Sequence, residues 1–295
     1  MGIFDFFKGK KIFKSKKEKG IEVDLQVLYE ESLKREAQEP DKIEGDVLVY
    51  VNPARIVNGV YYVPKEVKRI DSWAFSSCKD VLERVVLHEG FRYIAEQAFE
   101  NCARLKRVEV DKANEEMKSL GGFVGCSSLE HVDIPESVQV ISWGAFTGCK
   151  NLKQIKLPDG CWCISPFAFL DCESLTELRM PASITLINAT AFEGCSNLNV
   201  IFPDYSKYED LGFFDIELGD ELIEYPAGDV VIEEGALTDV ASVACFDEST
   251  FSKVLASGYE GNLLMVDPEQ ESVVSFDLFS MKKQIEQQKE NGEDV

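Results

Sequence analysis

The chain has 295 residues, 45% hydrophobic and 28% charged, a balance that supports a sizeable folded core and excludes wholesale disorder. Its net charge of −22 repels phosphate backbones, so nucleic acid is not an expected partner. No apolar run approaches the roughly 18–20 residues that span a bilayer as a helix. Nine cysteines with no recognisable secretory signal point to free thiols in a reducing compartment, with the cytoplasm as the expected location.

The charge is unevenly spread. Residues 1–20 carry seven Lys against Asp5 and Glu18, giving +5, whereas residues 203–295 carry 23 acidic groups against five Lys, giving −18. In the basic tail, 1–20, Phe4, Phe6 and Phe7 sit among Lys8, Lys10 and Lys11, a mixture resembling a peripheral anchor. The rings would enter the membrane interface while the lysines meet anionic lipid. Phe6 breaks the myristoylation pattern, which needs Ser or Thr there. Two other readings of the tail stay open: contact with the acidic C-terminal third, within one molecule or between two, and a solvated tail. Residues 21–62 form an expected N-terminal cap. A helix is predicted over 22–39, closed by Pro40, followed by strands in "DVLVYV" (46–51) and "IVNGVYYVP" (56–64) around the Asn58-Gly59 turn.

A repeat follows. Ala-Phe pairs stand at 74–75, 98–99, 145–146, 168–169 and 191–192, with Gly122-Phe123 as the one variant. Three residues after each Phe comes Cys78, Cys102, Cys126, Cys149, Cys172 or Cys195, at spacings of 24, 24, 23, 23 and 23. A fixed period in the twenties marks a solenoid of short coils. Each Cys is followed by Leu82, Leu105, Leu129, Leu152, Leu175 or Leu198, then three residues later by Val85, Val108, Val132, Ile155, Leu178 or Ile201. This L-x-x-V-x-I run alternates as a half-buried strand does, and Pro closes it in "LEHVDIP", "LKQIKLP" and "LTELRMP". One coil cannot bury its own apolar edge, whereas six stacked coils make continuous Phe, Leu, Ile and Cys columns. The periodic cysteines therefore read as buried structural thiols.

The pattern "P-x-x-V-x-x-I-x-x-x-A-F-x-x-C-x-x-L-x-x-V-x-L" resembles the BspA-type leucine-rich repeat over 63–202. The resemblance implies an α/β, strand-rich repeat solenoid: a leucine-rich repeat with about six 23–24-residue coils and capping segments at both ends. Pro226, Ile232, Ala236 and Leu237 keep the offsets of a degenerate seventh coil, and "FFDIELGDELIEYPAG" before it resembles a strand pair interrupting the repeats. Beyond these, "DVASVACF", "NLLMV" and "SVVSFDLF" predict short strands in a C-terminal cap, and the acidic tail from Lys282 reads as fraying. The region 203–295 thus holds the degenerate repeat, the cap and the tail. The family implies binding and adhesion rather than catalysis; many members are exported, and this chain departs from them by lacking a recognisable signal.

Chemistry has little material here. Only His88 and His131 are available, and there is no Walker A motif, nucleophile elbow or pair of C-x-x-C motifs. The one metal or redox candidate, Cys161-Trp162-Cys163, falls in register with Val138 and Val140, which favours packing. No catalytic residue, metal or cofactor is expected.

Function is sought on the surface instead. In the leucine-rich repeat pattern the outward residues of the strand line a concave sheet. One column runs Arg84, Arg107, His131, Gln154, Glu177, Val200, and the next Val86, Glu109, Asp133, Lys156, Arg179, Phe202. Either these charges pair with one another to keep the sheet soluble, or they form a strip that selects a protein partner. Trp73, Trp143 and Trp162 lie outside the strip, as edge covers or as contact residues. The expected function is a non-catalytic protein-interaction scaffold whose partner is another protein, with an anionic membrane surface as a second partner of the tail. The alternatives are an exported cell-surface adhesin and an enzyme sited in the C-terminal cap.

Overall fold

The computed structural model describes residues 40–205, 230–267 and 272–278, together with strands Lys16–Glu18, Ile21–Val23, Phe213–Leu218 and Glu221–Pro226. The chain divides into two units, Met1–Pro40 and Asp41–Val295. In the first, Lys16–Glu18 pairs antiparallel with Ile21–Val23. The helix expected from residue 22 is thereby corrected at its start. Glu22 and Val23 lie opposite Lys17 and Lys16 in a ladder, which engages backbone groups a first helical turn would need. Residues 24–39 and the basic tail up to residue 15 lie outside the described residues.

The second unit is a strand-rich solenoid of about eight turns. Every turn places a short strand on one wall, and all but the fifth add a second strand on the opposite wall, the one expected to be concave; in coils 2–7 an Ala-Phe or Gly-Phe turn with its Cys joins the two walls. The short strands run Val47–Tyr50, Arg69–Ile70 and Tyr93–Ile94, then Ser119–Leu120, Val140–Ile141, Cys163–Ile164, Leu186–Ile187 and Val231–Ile232, parallel within each group. The Ala-Phe-Cys pattern supplies coils 2–7. Coil 1 comes from the expected N-terminal strands, with Leu48 in register with Ile70 and Tyr61 with Val85. Coil 8 is the degenerate repeat, with Ile232 beside Ile187. Phe213–Leu218 and Glu221–Pro226 pair antiparallel between coils 7 and 8.

Three columns hold successive coils together. The rings of Phe75, Phe99, Phe123, Phe146, Phe169 and Phe192 stack at centroid separations of 4.4, 5.3, 5.6, 5.4 and 5.6 Å, all fully buried. The thiols form a second column. In coils 3–7 each donates to the carbonyl of the Phe one coil back: Cys102 to Phe75 at 3.8 Å, Cys126 to Phe99 at 3.2 Å, Cys149 to Phe123 at 3.3 Å, Cys172 to Phe146 at 3.2 Å and Cys195 to Phe169 at 3.0 Å. That carbonyl also accepts the N–H of its own coil's cysteine, as Phe123 does from Cys126 at 3.2 Å, so the thiol fills a second lone pair. The Leu column from Leu82 to Leu198 completes the core at 0% exposure. The Gly122 variant has a local cause: a Cβ there would lie 2.6 Å from Ile94 Cγ2 and 2.7 Å from the Ala95 carbonyl, and its φ is +94°.

Coil 7 departs from the expected alternation. Leu178 pairs with Val200, not Ile201, because the coil is one residue shorter. A one-residue change of register swaps the faces, so Val200 and Phe202 point into the core at 0% exposure and leave the outward columns, while Asn199 is exposed. The expected C-terminal strands appear as Ser242–Cys245, Asn262–Asp267 and the antiparallel Ser272–Asp277. The α-helix Glu248–Ala256 precedes the last two, capped by the Asp247 carboxylate accepting the Thr250 N–H at 2.7 Å.

Candidate protein-binding surface

The concave wall is built from parallel strands whose inward residues enter the core, leaving Arg84, Arg107, His131, Gln154 and Glu177 in one outward column and Glu109, Asp133, Lys156 and Arg179 in the next. In coils 3, 4 and 6, charges two residues apart on one strand meet. Arg179 Nε donates to Glu177 Oε1 at 2.9 Å, His131 Nε2 lies 3.0 Å from Asp133 Oδ1, and Arg107 Nε lies 4.0 Å from Glu109 Oε1. Contacts between coils add Arg84 to Glu109 at 3.3 Å and to the Tyr62 hydroxyl at 3.3 Å. Lys156 has only a 3.9 Å approach to Glu136, both side chains standing largely in solvent at 83% and 70% exposure. Beside this strip, hydrogen bonds from Lys106 and Arg104 hold the Glu83 carboxyl below the usual carboxylate range.

The sheet is not continuous. Strands of coils 1–4 form one sheet and those of coils 6–8 another, with coil 5 between them. At the N-terminal side the ladder is regular: the Lys106 and Arg107 N–H groups donate to the Glu83 carbonyl at 2.9 and 3.3 Å, and those of Glu130 and His131 to the Lys106 carbonyl at 2.9 and 3.2 Å. At coil 5 it opens. Among the described residues, no backbone hydrogen bond joins 130–134 to 153–157. Toward coil 6, the links are a bridge of Gln154 with Glu177 and the Thr176 N–H donating to the Lys153 carbonyl at 3.3 Å.

A groove of about 650 Å³ lies over this opening. Of the nine residues expected on the strip, His131, Asp133, Gln154, Lys156, Glu177 and Arg179 line it, whereas Arg84, Arg107 and Glu109 form a separate ion-paired group. The floor was not legible in the strip pattern: Ile134, Ile155, Leu157 and Met180, with Pro158 and Pro181 at the strand ends. The one signal for it is the apolar-Pro pair that recurs at 134–135, 157–158 and 180–181. Asp159, also missed, stands on the rim.

The remaining candidates are placed elsewhere. Cys161 is fully buried with its thiol 3.8 Å from the Cys163 carbonyl, and Cys163 lies 3.8 Å from Asn188 Oδ1. Burial raises both thiols, to about 12 and about 11, which favours the protonated form over a metal-binding thiolate. Among the described residues, no group of three or more His, Cys, Asp or Glu is arranged to hold a metal ion. Trp73 is 54% exposed and donates from Nε1 to Glu100 at 2.8 Å, while Trp143 packs edge-on against Phe167 at 5.7 Å. Phe4, Phe6, Phe7, Lys8, Lys10 and Lys11 lie outside the described residues.

A family model described as the BspA type leucine rich repeat region matches in six copies over residues 60–121 and 118–215, more than half of the chain. None of the curated proteins compared with the sequence matches it. Among solved structures, a leucine-rich repeat protein of T. pallidum is 24% identical with a TM-score of 0.52, covering 73% of this chain and 89% of that one. A leucine-rich repeat protein of Bacteroides ovatus is 22% identical, covering 71% and 62% of the two chains at a TM-score of 0.42. One of Eubacterium ventriosum is also 22% identical, covering 51% and 46% at 0.43. The first likeness concerns the fold alone, and the chain spans less than two thirds of the other two. With six family repeats in register and the coil stack they build, the chain belongs to the BspA-type leucine-rich repeat family.

Proposed function

We propose that the protein is a non-catalytic interaction scaffold that docks another protein on the concave wall at coils 4–6. Leucine-rich repeat proteins generally bind other proteins, and the fold is generally non-catalytic. The observation that carries the choice of surface is the groove, which gathers six of the nine strip residues around an apolar floor, whereas Arg84, Arg107 and Glu109 line no such groove. Charged rims around an apolar centre set partner choice and encounter rate. The test is capture from native lysate by the full chain and by the Lys156→Glu/Arg179→Glu variant, with circular dichroism to confirm that the variant folds. Loss of an identified bound protein in the folded variant supports the surface; retention of the same protein by both moves recognition elsewhere.

The interleaved rings and lysines of residues 3–14 favour a second, additive role, in which the tail holds the scaffold at an anionic membrane surface. Co-sedimentation with phosphatidylserine-containing vesicles, comparing the full chain with one lacking residues 1–20, tests it. Equal sedimentation of the two removes the role.

A further inference from the structure

We infer that the groove recognises its partner as an extended segment, main chain against main chain, with alternate apolar side chains on the floor and basic residues at the rim; this rests on the groove being the docking surface. The unpaired backbone carries the inference. By the register of coils 2–4, the Glu130 carbonyl should accept from Lys153 and Gln154, as Lys106 accepts from Glu130 and His131. The Val132 carbonyl should accept from Lys156, as Val108 accepts from Asp133 at 2.9 Å. Neither set of bonds forms, so the Glu130 and Val132 carbonyls on one side and the Gln154 and Lys156 N–H groups on the other have no backbone partner across the opening. Backbone groups seek partners wherever water is displaced. A helix has already paired its own backbone and offers them nothing, whereas an extended segment presents a donor and an acceptor at every second residue.

The side chains specify the rest. Alternate residues of an extended segment point one way, toward Ile134, Ile155, Leu157 and Met180 on the floor. The rim carries Asp133, Glu136, Asp159 and Glu177 against Lys156 and Arg179, two more negative charges than positive. Arg179 is held by Glu177, and Asp159 has no ion pair among the described residues. An incoming Lys or Arg is therefore favoured over Asp or Glu.

The experiment uses the full chain and three fluorescent heptapeptides, read by anisotropy: alternating Lys and Val, the same peptide with its Val amide nitrogens methylated, and alternating Glu and Val. Deuterium exchange is followed at Gln154 and Lys156 in parallel. Expected are measurable binding of the Lys-Val peptide, binding weaker by about tenfold or more for each of the other two, and slowed exchange at both amides on binding. Equal binding of methylated and unmethylated peptides overturns the inference. So does exchange at Gln154 and Lys156 that is already as slow as at Arg107 and Asp133 in the free protein, since the ladder would then be closed. Either result leaves the docking surface standing if partner capture still fails in Lys156→Glu/Arg179→Glu. Loss of the docking surface itself would appear instead as capture insensitive to that variant.

Discussion

Replacing single rings in the Phe column by Leu separates the stacking of rings from their mere burial. Leu keeps the site apolar but removes three side-chain carbons, so every such swap carries a packing cost common to the column, to which the lost ring contacts are added. Each ring–ring contact adds about 0.5–1.5 kcal/mol beyond burial. Phe146 touches two rings, at 5.6 and 5.4 Å, whereas Phe192 touches one, at 5.6 Å, because the next coil presents Leu237. Phe146→Leu is therefore expected to cost about 1 kcal/mol more than Phe192→Leu. A coil near the end of a stack also unravels more readily, which would lower the apparent cost at Phe192 for another reason. Phe75 resolves this: it lies near the opposite end yet has two ring contacts, Phe99 at 4.4 Å and Tyr61 edge-on at 5.2 Å. Urea unfolding followed by circular dichroism, with midpoints compared at constant slope, measures all three. Phe75→Leu should match Phe146→Leu. If it matches Phe192→Leu instead, position in the stack decides the cost and the stacking argument is wrong.

Two further outcomes are expected. Burial pushes the Cys78, Cys102 and Cys245 thiols up to about 12 from an ordinary 9.0. The folded chain thus holds protons that the unfolded chain releases, so their stabilisation is complete below about pH 9 and is lost as pH rises toward 12, at up to about 1.4 kcal/mol per pH unit for each thiol. Urea midpoints that stay level between pH 8 and pH 10.5 would contradict this. In coil 7, Val200→Asp should cost about 3 kcal/mol or more while Ile201→Asp stays within about 1 kcal/mol, since only the first buries a carboxylate. The reverse order in thermal unfolding would restore the register expected from the L-x-x-V spacing.

The legibility of the fold tracks which contacts recur. Ala, Phe and Cys each touch their own counterparts one coil away, so the contacts repeat wherever the residues do, and coils 2–7 could be counted from the letters. Coil 1 was hidden because it has neither the ring nor the thiol. Val51 stands in for the Phe, its carbonyl accepting the Cys78 thiol at 3.4 Å, and "DVLVYV" shows only apolar alternation. Asp41 binds this coil through the Tyr61 hydroxyl at 2.7 Å and the Asn52 N–H at 2.9 Å, contacts twenty and eleven residues apart that no local pattern records. The slip in coil 7 was hidden because Val200, Ile201 and Phe202 are three apolar residues in a row, so the L-x-x-V spacing of the other coils could select Ile201 as readily as the true inward Val200. On the concave wall, charge pairs two residues apart could be read directly. The opening of the ladder could not, because it is a property of backbone spacing, and side chains mark it only through Pro135, Pro158 and Pro181.

The thiol-to-carbonyl bond gives this chain a grammar of growth. Every such bond, and every ring contact, joins a coil only to the one before it, so a whole coil inserted or deleted leaves each junction with the same two faces to match. A gene that gains or loses one repeat unit therefore keeps a foldable product, and the reach of the scaffold can drift in steps of one coil. Changes of a single residue are read differently: coil 7 absorbed one by turning its strand over, exchanging what the molecule hides for what it shows.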